Sequence, residues 1–289
     1  MISYIIVSYN TSEFTQNTVE TIIKNCSDCE IIVVDNNSSD NTVNDIQNRF
    51  AEFIDSKLFV IACGENNGFS KGNNIGAERA RGDYFVFINP DTVVVSDIGA
   101  QLKKIAETKY KNKKVILSPQ ILNPDYTGQH CMNSFPFAGL KLFFKKAVKQ
   151  INLKSNKKYI KSDWVTGVCL AMTKEVYGQL NGWNEEFDLY SEDLDICYRL
   201  KKNLRGQAIV CRQLKLLHYG NQSGKKVYAT NYASYKKKSN SLKKFFLLHS
   251  TEKRFIKWLK FCKRYNNSEE LERYYGELTG KIKNEDSKI

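Results

Sequence analysis

No stretch of this chain comes near the roughly 20 consecutive apolar residues that a membrane-spanning helix requires. The opening MISYIIVSYN has neither a basic start nor an apolar segment long enough for a signal peptide, so the expectation is a protein that stays in the cytoplasm. Histidine is scarce, with three residues at 130, 218 and 249, and a metal site therefore cannot rest on a histidine cluster. The pair Cys26-Ser-Asp-Cys29 has no second pair at zinc-finger spacing, and the eight cysteines are scattered, many of them in apolar strand-like runs. Structural zinc and the disulfide framework of a small secreted protein are both disfavoured, and reduced, mostly buried thiols are expected. There is no internal repeat. The segment VSYNTSEF after the first apolar run has no glycine, which removes the phosphate loop that a sugar-phosphate nucleotidylyltransferase would carry there.

What is present suits a globular protein: 289 residues with 42% apolar and 12% aromatic content can build one large domain, or a domain with an appendage. The net charge of +13 is unevenly placed. Between Lys215 and Arg264 stand fourteen Lys or Arg and a single acid, Glu252, which implies an acidic partner such as nucleic acid or an anionic membrane surface.

Short continuous apolar runs alternate with helical patterns. Strands are expected at 2–8, 30–34, 58–63 and 84–88, and helices at 13–25, 42–50 and 70–80. The fold class is therefore α/β, a Rossmann-like and mostly parallel sheet flanked by helices. Residues 141–161 read as a mobile connection. Beyond them come a strand at 164–172, a helix from 174 to about 180, a helix toward Leu200, and a strand at 208–211 or slightly longer. Between 239 and 264, Leu242, Phe245, Phe246, Phe255, Trp258, Leu259 and Cys262 recur at spacings of three and four with lysines between them, a basic amphipathic helical pattern. Such a stripe can lie in a membrane interface, or it can pack against the rest of the protein or a second subunit. Residues 281–289 read as a frayed tail.

Ligands of open parallel sheets lie beyond the carboxyl ends of the strands. Polar clusters stand at those ends: Tyr9-Asn10, Asp35-Asn36-Asn37, Asn66-Asn67-Gly68 and Asn89-Pro-Asp91. A strand that delivers a carboxylate, with a second oxygen-bearing side chain two residues earlier, can hold a hard divalent cation whose other ligands are water and a diphosphate. Taken alone, Asn-Pro-Asp also suits an ordinary turn.

The blocks VSYN at 7–10, VDNNSSD at 34–40, NNGFSKGNNIG at 66–76, INPD at 88–91 and YSEDLD at 190–195, in this order, resemble the family 2 glycosyltransferases of the GT-A fold, particularly the branch that includes rhamnosyltransferases. The resemblance covers roughly residues 2–223 and implies a catalytic domain over 1–224 with a basic amphipathic helical segment over 225–289. It places Tyr9 beside the nucleotide's pyrimidine ring and Asp35 on the base edge or ribose, with Asn66, Gly68 and Asn74 lining the donor cleft. Asn89 and Asp91 match the family's metal-binding DxD, without its first acid, for Mn2+ or Mg2+. His218 matches a histidine that completes the metal's coordination or touches the diphosphate.

Glu192 and Asp193 stand where the family keeps its catalytic acidic pair, and Asp193 is the expected base. The same acids would favour the first turn of the following helix in any case. Trp164 and Gly167 fall on the acceptor side, and His130 and His249 read as surface or packing residues. The implied activity is inverting transfer of a sugar from a nucleoside-diphosphate sugar, dTDP-rhamnose or UDP-hexose, to a glycan or lipid-linked saccharide in bacterial surface polysaccharide synthesis. A nucleic-acid-binding protein is the alternative from another class, but its charge is confined to one segment and would leave the cleft motifs idle.

Overall fold

Ile2–Ser8 forms β1 and Ser12–Asn25 forms α1, followed by β2 (Cys29–Asp35), α2 (Thr42–Arg49) and β3 (Leu58–Ala62). Every residue of β1 and β2 is buried, as expected for strands covered on both faces. Helix α3 (Gly68–Arg79) leads to β4 (Tyr84–Ile88), and the strands lie parallel in the order β3-β2-β1-β4. The computed structural model describes residues 1–136, 156–220, 231–265 and 268–280, and over these the main sheet has nine strands.

Past β4 the sheet becomes mixed. After β5 (Thr92–Val94) and α4 (Ile98–Thr108) comes β6 (Val115–Leu122), a fully buried strand, then the short β7 (Met132–Asn133). The short strands β8 (Tyr159–Ser162) and β9 (Trp164–Val165) precede β10 (Cys169–Thr173), which enters antiparallel between β4 and β6. The single strand expected over 164–172 is thus two. Residues 164–165 pair with β7 in a separate two-stranded sheet, and 166–168 leave the ladder to reach the ligand cavity. The connection expected over 141–161 lies outside the described residues up to 155, and its end belongs to β8.

Helices α5 (Lys174–Gln179) and α6 (Glu192–Leu204) flank a turn, and β11 (Gln207–His218) follows. β11 runs well past the strand expected at 208–211 by means of an irregularity between Cys211 and Lys215. Its last residues pair antiparallel with β5, setting His218 opposite Thr92. The tail at 281–289 and the boundary expected at 224 lie outside the described residues.

The basic segment forms α7 (Asn231–His249), α8 (Glu252–Tyr265) and α9 (Glu269–Leu278). Its apolar stripe turns inward: Phe245, Phe246, Phe255 and Leu259 are buried in one cluster with Phe135, Phe187 and Leu194, and Trp258 packs against it. Each such side chain contributes roughly 1.5–3 kcal/mol when buried. Moving the stripe into a lipid interface would gain it no further burial and would leave Phe135, Phe187 and Leu194 facing water. The stripe therefore packs on the protein, which replaces the interfacial role considered for these aromatics. Among the described residues no helix is long and apolar enough to cross a membrane.

All eight cysteines are free and six are buried. Burial pushes the Cys26 thiol up to about 12 and the Cys29 thiol up to about 11, so this pair is an inert part of the core.

Helix α3 meets the sheet at Gly76, where an added Cβ would stand 2.6 Å from Ile5 Cγ2 and 3.2 Å from Val34 Cγ2. Gly76→Ala is expected to cost about 1–3 kcal/mol by overpacking, despite its better helix propensity. Urea denaturation checks this, and an unchanged midpoint would mean that the interface yields freely.

Candidate active site

A cavity of about 860 Å3 opens beyond the carboxyl ends of β1, β2 and β4. Tyr9, Asn36, Asn66, Asn89, Asp91 and His218 contribute to its lining. So do the stretch 166–168, the residues Asp188, Tyr190, Glu192 and Asp193, and two lysines of α7, Lys237 and Lys238. Its size is that of a small-molecule site with room for more than one substrate moiety.

The Asn89-Pro-Asp91 turn is fixed from beneath. The Thr18 hydroxyl of α1, fully buried, is shared between the carbonyls of Pro90 and Thr92 at 2.7 Å each and accepts the Thr92 N–H at 3.1 Å. The Asn89 N–H bonds the Val168 carbonyl at 3.0 Å, tying the turn to 166–168. Asp91, 4% exposed, places Oδ1 3.2 Å from His218 Nε2, and Asn89 Nδ2 lies 3.4 Å from the same nitrogen. The other ring nitrogen, Nδ1, faces Gln129 Oε1 at 2.9 Å, while Gln129 Nε2 donates to the His218 carbonyl at 2.6 Å. Gln129 Oε1 thus accepts the Nδ1 proton, which leaves Nε2 as the nitrogen that faces Asp91. A carboxylate oxygen and an imidazole nitrogen side by side on a cavity wall suit a divalent cation. Among the described residues no three His, Cys, Asp or Glu side chains form a self-sufficient metal centre. A cation here would need further oxygen ligands, as a diphosphate and water supply.

Glu192 and Asp193 open α6, entered through Tyr190 and Ser191, two successive left-handed residues with φ of 71° and 66°. Neither is glycine, so each carries a cost of about 1 kcal/mol or more that the surroundings must offset. Asp193 Oδ2 accepts the Gly167 N–H at 2.9 Å and Oδ1 the Leu194 N–H at 2.7 Å. Burial pushes the Asp193 carboxyl up to about 6, against the pull of those two N–H groups. Burial, and then the Asp193 charge beside it, pushes Glu192 well above the ordinary carboxylate range. Glu192 Oε2 is buried without a hydrogen-bond partner, as suits a protonated acid. The two carboxyls thus stand in unequal surroundings, with Asp193 the more easily ionised.

The other expected residues divide. Tyr9, Asn66 and Gly68 line the cavity. Gly68 has φ +72°, and a Cβ there would stand 2.7 Å from the Asp188 carbonyl oxygen, so glycine is required for the two loops to meet. Asp35 is buried, with its carboxylate accepting the Ser38 N–H at 3.0 Å and the Ser38 hydroxyl at 2.5 Å, and it is Asn36 beside it that faces the cavity. Asn74 is not among the lining residues either. Its amide holds the backbone of Trp183 through both N–H and carbonyl, the Tyr177 hydroxyl and Glu185. Gly167 lines the cavity, whereas Trp164 pairs with Asn133 in the small sheet and donates to the Ser134 carbonyl. His130 is exposed beside Asn133, and His249 packs on Tyr198 and Phe245 and bonds Asp195.

Sequence reasoning missed Thr18, Gln129, Lys237 and Lys238, and named Asn36 only as part of the polar cluster after β2. Asn36 carried a signal in its place in VDNNSSD. The others lie far along the chain from the groups they serve, and only the fold joins them.

A model described as glycosyl transferase family 2 matches residues 3–177. The chain is 28% identical over 212 residues to a low-salt glycan biosynthesis hexosyltransferase of Haloferax volcanii, covering 70% of this chain and 62% of that protein. It is 25% identical over 215 residues to rhamnosyltransferase WbbL of Escherichia coli, covering 69% and 76%. It thus spans less than two thirds of the Haloferax protein's length. A mannosyltransferase from Pyrobaculum calidifontis, solved with GDP-Man and Mn2+, superposes with a TM-score of 0.59 at 14% identity over 98% of this chain and 81% of that one. At that identity the likeness is one of fold, and the shared architecture is that of GT-A glycosyltransferases.

Asp91→Ala deletes the carboxylate at this wall. Calorimetric titration of Mn2+ with UDP, GDP or dTDP present is expected to show binding to the native protein, weakened on the order of tenfold or more in the variant. An unchanged titration would put the cation elsewhere.

Proposed function

The chain belongs to glycosyl transferase family 2, and from that premise we propose that it moves a sugar from a nucleoside-diphosphate sugar to a hydroxyl of a glycan or lipid-linked saccharide, with inversion at the anomeric carbon. The observation that carries this is that one cavity is lined both by Asp91 beside His218 and by the buried acids Glu192 and Asp193, the latter held by the Gly167 and Leu194 N–H groups. Tyr9, Asn36 and Asn66 line the same cavity and would hold the nucleotide.

In the proposed reaction the acceptor hydroxyl attacks the anomeric carbon, its proton passes to the Asp193 carboxylate, and the bond from that carbon to the diphosphate oxygen breaks. The nucleoside diphosphate leaves with the bonding pair. The Gly167 and Leu194 N–H groups keep Asp193 ionised yet poised, since a base works best when its pKa lies near the operating pH. Asp91, with His218 and Asn89, would hold Mn2+ or Mg2+, which supplies charge neutralisation to the departing diphosphate. Lys238, whose ammonium lies 5.0 Å from the Tyr190 ring centroid, brings positive charge to the acceptor side of the cavity, where it would suit the phosphate of a lipid-linked acceptor.

The names of the two relatives, a hexosyltransferase of glycan biosynthesis and a rhamnosyltransferase, support a hexose or rhamnose as the sugar moved, and the donor proposed here is dTDP-rhamnose or a UDP-hexose, for surface polysaccharide synthesis. Such an acceptor would sit at the inner face of the cell membrane. Leu247 and Leu248, 53% and 41% exposed at the end of α7, and the exposed Lys253, Arg254, Lys257 and Lys260 of α8 offer a reversible contact with anionic lipid.

Asp193→Asn is expected to lower the transfer rate by on the order of a hundredfold or more while leaving nucleotide binding intact. In the native enzyme the rate should fall as pH drops through about 6, where Asp193 takes up its proton. The stability effect has the opposite sense. A carboxyl whose pKa rises on folding makes its ionised form a cost to the fold, absent below the unfolded pKa and complete above the folded one. At pH 7 Asp193→Asn removes that cost but gives up one of the two N–H acceptors, so its melting temperature should stay close to that of the native protein. Near-normal turnover in the variant would reject Asp193 as the base. For the lipid contact, vesicles containing anionic lipid should sediment the full-length protein at low salt and release it at high salt. Leu247→Glu with Leu248→Glu should weaken the binding, and equal recovery with neutral vesicles would refute it.

A further inference from the structure

The basic C-terminal segment has a role that neither its charge nor its apolar stripe suggests. Three side chains of α7 at positions i, i+4 and i+7 reach the same short stretch of chain, the turn 186–191 that leads into the acidic pair. Lys237 makes an ion pair with Asp188, the Ser241 hydroxyl donates to the Tyr190 carbonyl, and the Lys244 ammonium donates to the Glu186 carbonyl. The next stripe of the helix, Phe245 and His249, packs against Tyr198 of α6. His249 Nε2 meets Asp195 Oδ1 at 2.6 Å, on a residue that is fully buried two positions after Asp193. Arg199 grips the other Asp195 oxygen at 2.6 Å and bonds the carbonyls of Leu180 and Gly182.

This turn needs holding. It contains two successive non-glycine residues in the left-handed region, Tyr190 and Ser191, directly before Glu192 and Asp193. Other contacts also reach it: the Phe69 N–H bonds the Asp188 carbonyl at 2.6 Å, and Asn184 accepts the N–H groups of Glu186 and Phe187 at 3.1 Å each. Without α7 the far side of the turn would lose these polar anchors together with the Phe187 and Leu194 packing contributed by Phe245 and Phe246.

We propose that α7 is part of the catalytic apparatus, with Lys237 and Ser241 as positioning residues that hold the turn 186–191 in the shape that delivers Asp193 to the acceptor. The inference rests on the reading of Asp193 as the base. It assigns to the segment after residue 230 a function in the reaction, so that the family-matched region 3–177 and the acidic pair together are not a sufficient active site.

The test uses the full-length protein without substrate. In Lys237→Met with Ser241→Ala, amides of 187–195 should exchange with deuterium roughly tenfold faster while those of β1 and β4 keep their protection. Lys237→Arg, which preserves the ion pair, should exchange as the native protein does. Should the double variant fail to fold, Ser241→Ala alone carries the same expectation at smaller amplitude. In a transfer assay, kcat should fall about tenfold with nucleotide affinity unchanged within about twofold. Unaltered exchange over 187–195 would overturn the proposal, because a lysine that merely touched substrate would leave the free protein's turn undisturbed. Failure of the glycosyltransferase reading would show separately, as absence of transfer by the native protein.

Discussion

The site depends on the burial of two adjacent acids at the start of one helix. Water would keep both Glu192 and Asp193 ionised, and taking them out of it penalises charge on both. The penalty is met unequally. Asp193 has two backbone N–H donors and the positive end of α6 to pull against its burial, while Glu192 has an oxygen with no partner and a like charge beside it. Two identical functional groups, adjacent in sequence, thereby become unequal proton acceptors. The cost falls on stability, which is the usual relation between a strained, partly desolvated site and the scaffold that carries it.

That scaffold works by convergence of elements distant in sequence. β4 supplies Asp91, β11 supplies His218, and the antiparallel β5–β11 pairing, with His218 opposite Thr92, brings the two together. Thr18 fixes the turn from α1, and Gln129 orients the histidine ring from the loop after β6. Across the cavity, the turn before α6 is held from the donor side by Phe69 and from the outer side by α7. Each contact is an ordinary hydrogen bond worth about 1 kcal/mol net. Their joint effect is geometric, since displacement of a catalytic group by an ångström costs far more in rate than in stability.

In the basic C-terminal segment part of the charge excess is used inside the fold. Fourteen cations against one acid suggested an external anionic partner. In the fold, several of these lysines have internal work: Lys236 pairs with Glu277, Lys237 with Asp188, Lys243 with Glu252, and Lys244 with a backbone carbonyl. Of the acids that answer α7, Asp188 lies before the basic stretch and Glu277 after it, so a window confined to that stretch sees only Glu252.

The sequence by itself determined the first half of the sheet, because strands buried on both faces are written as unbroken apolar runs and the helices between them by a period near 3.6. It also determined the polar clusters at the strand ends, including Tyr9, Asn66, Gly68, Asn89 and Asp91, since local pattern is enough to say where a strand stops. The tertiary structure decided the rest. Asp35 and Asn74 share motifs with cavity residues but turn away to bond Ser38 and Trp183, a choice fixed by side-chain direction rather than residue type. The run at 164–172 reads as one strand, and only competition between β7 and β4 as partners splits it. Whether an apolar, lysine-flanked stripe meets lipid or protein depends on what lies opposite. Here Phe135, Phe187 and Leu194 lie opposite, and hydrophobic burial, which has no direction of its own, takes the surface that the fold presents.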